Sequence, residues 1–198
     1  MSQQASVDID PKRARVLDGA MRVFLSYGFS RTTMDDIARA AEMSRPALYL
    51  LFRNKSDIFR AIAASMLDQM TETTRIELDG EQPFAERMMA AIDKSFIAMM
   101  GIITGSPHGA ELLDMKNSLA CDIAASWRAT MCSHLARAIE REARRLGVDV
   151  ASQGLSAAGL ADLLLDGLEG LKSRIASPDQ QREASRGLVL TIERAIRP

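Results

Sequence analysis

Residues 32–59 read TTMDDIARAAEMSRPALYLLFRNKSDIF, and this stretch is the most informative part of the sequence about the fold. Thr33 and Asp36 form a variant of the capping box, in which two side chains bond free N–H groups at the start of a helix. Ser44 is a favoured cap for a second helix. Pro46 fits in the first turn of that helix, where N–H groups have no intrahelical partner. The stretch therefore predicts two short helices joined by a short turn.

Longer helices are predicted on both sides of this pair. Asp10 followed by Pro11 is a favourable helix start, and Gly28 is a typical C-terminal stop for the same helix. Asn54 with Asp57 caps the helix that follows the pair. Two short helices braced by a longer preceding helix form a helix-turn-helix, whose second helix enters the major groove of DNA.

The rest of the chain also has a helical composition, because Ala, Leu, Met, Arg and Glu dominate while β-branched residues are scattered. A long helix is expected over 118–146, and a helix rich in Leu, Ala and Gly over 155–171. Further helix starts are expected at Pro83, at Ser106-Pro107, at Asn117-Ser118 and at Ser177-Pro178. We therefore predict an all-α protein of about nine helices.

Charge is unevenly distributed along the chain. Residues 11–60 hold ten Lys or Arg and five Asp or Glu, whereas residues 61–198 hold 15 basic and 19 acidic residues. Because phosphate neutralisation needs a local basic face, this segregation predicts that only the N-terminal part binds a polyanion such as double-stranded DNA.

The sequence has no feature that indicates secretion or a membrane span. The first ten residues lack the basic and apolar regions of a signal peptide. The longest uncharged stretch, 95–110, is shorter than the ~20 apolar residues of a membrane helix. Cys121 and Cys132 would lie about 16 Å apart on one helix, too far for a disulfide. We expect a cytoplasmic protein with no membrane partner.

Helical projection predicts which face of the second short helix meets DNA. Leu48 and Phe52 project toward the core at 100° per residue, and Arg53 projects outward. The outward and flanking positions also hold small or apolar groups, which can pack on thymine methyl groups, while a Tyr can donate to phosphate. These residues are Pro46, Ala47, Tyr49 and Leu50.

Three further residues are candidates for DNA contacts. Arg45 lies in the first turn, and we predict that it reads a base, because its planar guanidinium matches the acceptor pair of guanine. Lys55 and Thr33 lie at helix starts, where free N–H groups favour an anion, and they are predicted to bind phosphate. Alternatively, Thr33 and Ser44 act only as caps and Tyr49 only packs. Arg45 and Lys55 would then be solvated surface charges.

Residues at fixed spacing in and before the quoted stretch form a family signature. Upstream they are Leu17-Asp18-Gly19-Ala20, Phe24 and Gly28-Phe29. Within the stretch they are Thr32, Thr33, Ile37, Ala38, Ala41, Ser44, Leu48, Tyr49, Phe52, Asn54 and Lys55. This pattern, over about residues 13–62, resembles the signature of the TetR/AcrR family of transcriptional regulators. The resemblance implies operator contacts by Thr33, Ser44, Arg45, Ala47, Tyr49 and Lys55.

Three departures from the family pattern lie in the motif itself. Glu42 stands where Gly is usual, so the turn is either less tight or holds Glu42 in a left-handed conformation. Leu50 and Leu51 replace a His/Tyr-Tyr pair, which puts the phosphate contacts of that segment in question. Asp35 and Asp36 add negative charge, and they either accept from cytosine amino groups or only cap their helix.

The family resemblance also implies a variable C-terminal part that binds a ligand, for which the sequence has weaker signals. The chain holds 12 Met residues, and Met suits a pocket for varied apolar ligands. Trp127 and His134 share a stripe of the helix predicted over 118–146, and ligand pockets are apolar with few polar groups. We predict a pocket bearing Met66, Met70, Phe96, Met100, Met115, Trp127, Met131 and His134. Alternatively, Trp127 and the Met residues pack an ordinary core and His134 is half-exposed.

The last two helices are predicted to form a homodimer interface, because they are too apolar on all sides for a monomer surface. In such a dimer, two DNA-binding domains about 34 Å apart, or a multiple of that distance, can bind the two halves of a palindromic DNA site. The predicted domains are a flexible arm at 1–10, a DNA-binding domain at 11–58 with its motif at about 33–52, and a ligand-binding and dimerisation domain at 59–198.

These features together predict a repressor that binds a palindromic operator as a homodimer and is released by a small, largely hydrophobic effector. No cofactor, metal site or catalytic residue is predicted, because the sequence has no metal-ligand spacing of His, Cys and Glu and no Gly-rich phosphate loop. Two alternatives remain, namely an all-helical enzyme and an architectural DNA-binding protein without a sensor.

Overall fold

The structure is a computed structural model that describes residues 10–174 and 177–197, apart from the side chains of 115–117 and 173. Residues 1–9, which make up nearly all of the predicted arm, lie outside the described residues. Within the described ranges the chain forms helices and no strand, which confirms the prediction of an all-α protein.

Ten α-helical segments follow one another along the described chain. They are α1 (Pro11–Tyr27), α2 (Met34–Ala40), α3 (Arg45–Leu51), α4 (Lys55–Leu78), α5 (Phe84–Ala91), α6 (Ala98–Thr104), α7 (Gly109–Leu119), α8 (Cys121–Arg145), α9 (Ala157–Arg174) and α10 (Pro178–Ala195). A π-helical segment, Ile92–Ile97, joins α5 to α6 without a break. Counted this way, the described residues contain nine separate helices besides one short 3-10 helix, in agreement with the sequence.

The described chain divides into two compact units. The first consists of residues 10–65 and 105–121, and the second of 66–104 and 122–197. Helix α4 contributes residues to both. The sequence analysis placed a single boundary at 58/59, whereas the structure assigns the start of α4 and all of α7 to the first unit.

In the first unit, helix α1 begins and ends at the residues that the sequence predicts. Asp10 accepts from the Lys12 N–H at 2.9 Å, and Gly28 ends α1 with a φ of 87°. Phe24, Phe29 and Phe59 make an aromatic cluster with ring centroids 5.2 to 6.3 Å apart. Six further apolar side chains of this unit are fully buried, those of Val16, Ala20, Ile37, Leu48, Ile58 and Ala120. This core holds the two short helices against α1 and the start of α4.

One cluster of buried apolar residues fills the second unit, and α5, α8, α9 and α10 contribute to it. Leu164 of α9 and Val189 of α10 are fully buried in the cluster. On other faces of the same two helices, Leu163 is 54% exposed and Leu190 is 43% exposed. None of the helices in the described residues is long and apolar enough to cross a membrane.

The long helix predicted over 118–146 begins later than expected. Helix α8 starts at Cys121, because residues 117–119 belong to the end of α7. Arg144 and Arg145 occupy the last turn of α8, as the helix dipole favours.

Gly19 lets α1 approach the end of α2 closely, which leads to a first prediction. A Cβ added at Gly19 would lie 2.9 Å from the backbone carbon of Ala40. We expect Gly19→Ala to lower the free energy of unfolding by about 1–3 kcal/mol, because backbone cannot yield as a flexible side chain does. Gly101→Ala in α6 is the control. No atom lies within 4 Å of its added Cβ, and it should stabilise by about 0.5–1 kcal/mol. Urea unfolding of both variants checks this, and equal stability would contradict it.

Candidate nucleic-acid interface

The turn between α2 and α3 is tight, although Glu42 replaces the usual Gly. Glu42 has a φ of 53°, in the left-handed region. Its N–H donates to the Arg39 carbonyl, and the Met43 N–H donates to the Ala38 carbonyl. These two bonds are those of a Schellman motif, in which a residue in the left-handed conformation ends the helix. Of the two alternatives for Glu42, the structure therefore has the left-handed one.

Both short helices begin with the caps that the sequence predicts. Thr33 and Asp36 form a reciprocal capping box, with Asp36 accepting from the Thr33 N–H at 2.9 Å. The Thr33 hydroxyl and N–H groups also lower the pKa of Asp36 below its usual value. Ser44 accepts from the Ala47 N–H at 3.3 Å. The capping roles of Thr33 and Ser44 are thus observed, and any DNA contact by these residues is additional.

The exposed face of α3 has the composition that the projection predicts. Leu48 and Phe52 are buried, at 0% and 4% exposure. Pro46 and Tyr49 are exposed, Ala47 is half-buried, and Leu50 is 88% exposed. Among the exposed large hydrophobic side chains of the described residues, that of Leu50 has the highest exposure. This face of α3 is therefore largely open to solvent.

Arg45 lies at the start of α3 with its guanidinium on the surface. The Nε of Arg45 lies 3.2 Å from a carboxylate oxygen of Asp35, and its guanidinium carbon lies 5.7 Å from the ring centre of Tyr49. Tyr49 first and Asp35 second raise the pKa of Arg45 above its usual value. Because both members of the ion pair are more than half exposed, the pair is weak. DNA could therefore replace Asp35 as the partner of Arg45 at little cost.

The ammonium group of Lys55, which is predicted to bind phosphate, is already bonded within the protein. Its ammonium group donates to the backbone carbonyls of Phe29, Ser30 and Thr32 at 2.8, 3.1 and 3.1 Å. An ammonium group has three N–H donors, so all of them are used within the first unit. In this conformation Lys55 braces the loop between α1 and α2. Contact with phosphate through the ammonium group would require at least one of these bonds to break.

Helix α7 adds a contact to the same loop that no local pattern indicates. The Glu111 carboxylate accepts from the backbone N–H and the hydroxyl of Ser30, at 2.8 and 2.6 Å. The Ser30 hydroxyl, followed by its N–H, lowers the pKa of Glu111 below its usual value. The two residues are 81 positions apart, which is why the sequence analysis missed this contact. The loop preceding α2 is thus held by Lys55 and by Glu111.

The residues predicted to bind a ligand are divided among several cavities that the described residues line. Four of them, Met70, Phe96, Trp127 and Met131, line one small cavity in the second unit. Met66 lines a neighbouring pocket of about 230 Å³, together with Met70. Met100 is buried at 2% exposure and lines neither cavity. The side chain of Met115 lies outside the described residues.

His134 lies apart from Trp127, in a different pocket of about 250 Å³ lined by Arg75 and Arg141 among others. Its Nδ1 lies 2.8 Å from a guanidinium nitrogen of Arg137. Burial first, and then the charges of Arg137 and Arg75, lower the pKa of His134 below its usual value. Trp127 and His134 thus border separate cavities: residues of α4, α9 and the π-helical segment line the one beside Trp127, whereas the pocket beside His134 is lined by α8 and the end of α4.

The geometry of the first unit defines a class of protein. A helix-turn-helix whose second helix exposes Arg45, Tyr49 and Leu50 is a DNA-binding module. Among the described residues, no group of three or more His, Cys, Asp or Glu side chains is arranged to hold a metal ion.

Comparison with known proteins identifies the family. A profile described as "Bacterial regulatory proteins, tetR family" matches residues 16–62. The HTH-type transcriptional repressor Rv1474c of Mycobacterium tuberculosis is 30% identical over 188 residues, which cover 88% of each chain. The chain therefore belongs to the TetR family of transcriptional regulators.

Other similarities are shorter or concern the fold. The transcriptional regulator YhgD of Bacillus subtilis is 29% identical over 86 residues, which cover 43% of this chain and 44% of that protein. Several curated relatives are thus matched over less than half of their length. FadR of Bacillus halodurans, a fatty acid degradation regulator, has the same fold, with a TM-score of 0.70 at 15% identity over 92% of this chain and 95% of that one. The relatives are transcriptional regulators and not enzymes, as the sequence predicts.

Proposed function

We propose that this protein is a cytoplasmic repressor that binds a palindromic operator as a homodimer and is released by a small, largely apolar effector. The observation that carries the proposal is the outward face of α3, where Leu50 is 88% exposed beside Tyr49 and Arg45. Exposed apolar side chains next to an arginine suit a major groove, because thymine methyl groups and guanine acceptors lie side by side there.

The proposed DNA contacts follow from this face. Arg45 reads a base, and Tyr49 donates to a phosphate. Small and apolar side chains, those of Pro46, Ala47 and Leu50, pack on base edges. Backbone N–H groups at the starts of α2 and α4, near Thr33 and Lys55, bind phosphates. Ser44 positions α3 as its cap and lies at the end of the helix that enters the groove.

The dimer is proposed from the exposed faces of α9 and α10. Leu163 and Leu190 are both large apolar side chains on these faces. Helix α9 exposes Asp162 and Asp166, two carboxylates that share the single guanidinium group of Arg128 in α8, whereas α10 exposes the basic residues Arg186 and Arg194. In an isologous interface the same patch meets itself, so α9 of one copy and α10 of the other would bring opposite charges together.

The effector site is proposed in the second unit, where Met70, Phe96, Trp127 and Met131 line an apolar cavity. An effector releases DNA if it binds more tightly to a dimer state that does not fit the operator. It needs no contact with DNA for this. A protein that binds DNA but responds to no small molecule would instead be an architectural DNA-binding protein.

Selection of bound sequences from random double-stranded DNA by the full-length protein tests this function, and it leads to the second prediction. We expect a palindromic site. We expect Arg45→Ala to weaken discrimination at one base pair of each half-site by about 1–3 kcal/mol, because a bidentate base contact is lost.

Arg39→Ala is the matched control for this substitution. Arg39 is an exposed arginine of the same unit, paired with Asp36, but it lies on α2 and not on α3. Its removal should weaken all sequences by a similar small factor, since it changes only the general attraction to phosphate. A uniform loss for Arg45→Ala as well would exclude base reading, and selection of no sequence at all would overturn the proposed function.

A further inference from the structure

The indole N–H of Trp127 is a buried donor whose partner is missing among the described residues. Trp127 is the sole Trp of the chain and lies in the second turn of α8. Leaving a buried donor without an acceptor is unfavourable, because the group has given up its hydrogen bond to water and gained none in exchange. Native proteins pair nearly all such groups, so an exception indicates a function for the group.

Trp127 borders a small apolar chamber of about 20 Å³, formed by residues of α4, the π-helical segment, α8 and α9. Thr74 and Ser95 contribute the hydroxyl groups of its lining, and both are buried, at 1% and 4% exposure. Thr74 donates to Ser95 at 3.1 Å, and Ser95 donates to the Ala91 carbonyl at 2.5 Å. Both hydroxyl groups therefore already donate within the protein, and the indole N–H is the donor available to a bound ligand. None of the described residues that line the chamber is charged.

A larger pocket adjoins this chamber. It has a volume of about 230 Å³, and its lining includes Met66, Met99 and Ile102 together with Lys94, whose ammonium group is already paired with Glu77 at 2.7 Å. Met70 and Ser95 line both cavities, so they form the wall between them. Met70 is buried at 4% exposure. Because a Met side chain has three rotatable bonds and adapts its shape readily, rotation of Met70 would join the two cavities into one largely apolar site, with the paired Lys94 in the lining of its outer part.

The wall also contains irregular backbone. Ser95 and Phe96 belong to the π-helical segment Ile92–Ile97, and both line the chamber. Single turns of π-helix within α-helices are often found at functional sites. The unpaired Trp127 N–H, the Met70 side chain and the π-helical segment thus all border the same chamber.

We propose that the effector is an uncharged, largely apolar molecule with a carbonyl or ether oxygen that accepts a hydrogen bond from the Trp127 N–H after Met70 has moved aside. This inference rests on the proposed function and specifies the ligand class of the same site. An anionic or cationic effector is excluded from the chamber, because an unpaired charge would lose its hydration without gaining a partner.

The sole indole allows a direct test in the full-length protein labelled with ¹⁵N-Trp, whose spectrum holds one indole N–H resonance. The probes are 2-octanone, its isostere 2-methyl-1-octene and the octanoate anion. The ketone should move the N–H proton downfield and bind about tenfold more tightly than the alkene, as one hydrogen bond is worth. Octanoate should leave the resonance unmoved. No shift with the ketone up to its solubility limit, or equal shifts with all three probes, would overturn the proposal.

Two variants sharpen this test. Trp127→Phe should bind ketone and alkene equally, measured by calorimetry, while it still binds DNA. Met70→Ala should increase ketone affinity because the wall is shortened, whereas Met66→Ala, which lines only the outer pocket, should have a smaller effect. A ketone preference retained in Trp127→Phe would contradict the inference. Should Trp127→Phe fail to fold, the resonance of the wild-type protein still decides.

The inference and the proposed function fail in different ways. If ketones shift the resonance but no ligand of this class releases DNA, the site stands and the proposed regulation is wrong. If the resonance stays unmoved while a different molecule releases DNA, the regulation stands and this ligand class is wrong.

Discussion

The Leu163→Glu variant is expected to be a monomer at micromolar concentration and to bind the operator about 10²- to 10⁴-fold more weakly than the wild-type protein. Leu163 is 54% exposed on α9, in the face proposed to meet a second copy. A carboxylate placed there would lose hydration among apolar side chains on dimerisation, and it would add to the negative charge of Asp162 and Asp166 beside it. A monomer contacts one half-site, so it loses the effective concentration that links two heads.

Ile76→Glu is the matched control for this prediction. Ile76 lies on α4 and is also 54% exposed, so the same apolar surface is replaced by the same charge outside the proposed interface. It should remain dimeric and keep its operator affinity. Sedimentation velocity and titration of a labelled operator measure both properties. A dimeric Leu163→Glu protein would move the interface away from α9.

Glu142→Ala is expected to lower the free energy of unfolding by about 3–5 kcal/mol, the usual cost of removing one partner of a buried ion pair. Glu142 and Arg87 have side-chain exposures of 7% and 9%, and their charged groups lie 3.4 Å apart. Arg87 also donates to the carbonyls of Leu78 and Gln82. Glu142 also pairs with Arg145 at 2.6 Å, but Arg145 is 67% exposed and stays hydrated when Glu142 is removed, whereas the positive charge of Arg87 would remain buried beside neutral acceptors.

Two further variants separate this effect from general damage to α8. Glu140→Ala removes an exposed carboxylate of the same helix and should change stability by no more than about 0.5 kcal/mol. The double variant Arg87→Met/Glu142→Leu should recover most of the loss, because apolar side chains of similar size often replace a buried pair without cost. Urea unfolding measures all three. A loss below about 1 kcal/mol for Glu142→Ala would show that the pair contributes little.

The residues of the helix-turn-helix show which features of the site can be predicted from local sequence. The capping box of Thr33, the cap of Ser44 and the buried positions of Leu48 and Phe52 all agree with prediction. Each depends on contacts within about four positions along the chain, or on the helical period, and both are legible in a single sequence. The same reasoning left the conformation of Glu42 open, since a tight and a looser turn were both consistent with the residues.

The candidate ligand site was predicted less well, because its residues are brought together by packing. Trp127 and His134 share α8 but line different cavities. Periodicity assigns residues to a stripe, but it does not say which neighbouring helix each part of the stripe meets. The role of Met70 as a wall between two cavities depends on α4 and the π-helical segment together, and neither alone indicates it.

The helical fold, the DNA-binding motif and the family are apparent from the sequence alone, because caps, apolar periods and a signature at fixed spacing are all short-range features. Three features depend instead on tertiary packing, namely the use of Lys55 and Glu111, the carboxylate that neutralises Arg87, and the lack of an acceptor for the Trp127 N–H among the described residues. Those contacts join residues 26, 81 and 55 positions apart. Separations of that size leave no periodic trace in the chain, so the partners of a buried charge or donor emerge only when the helices pack.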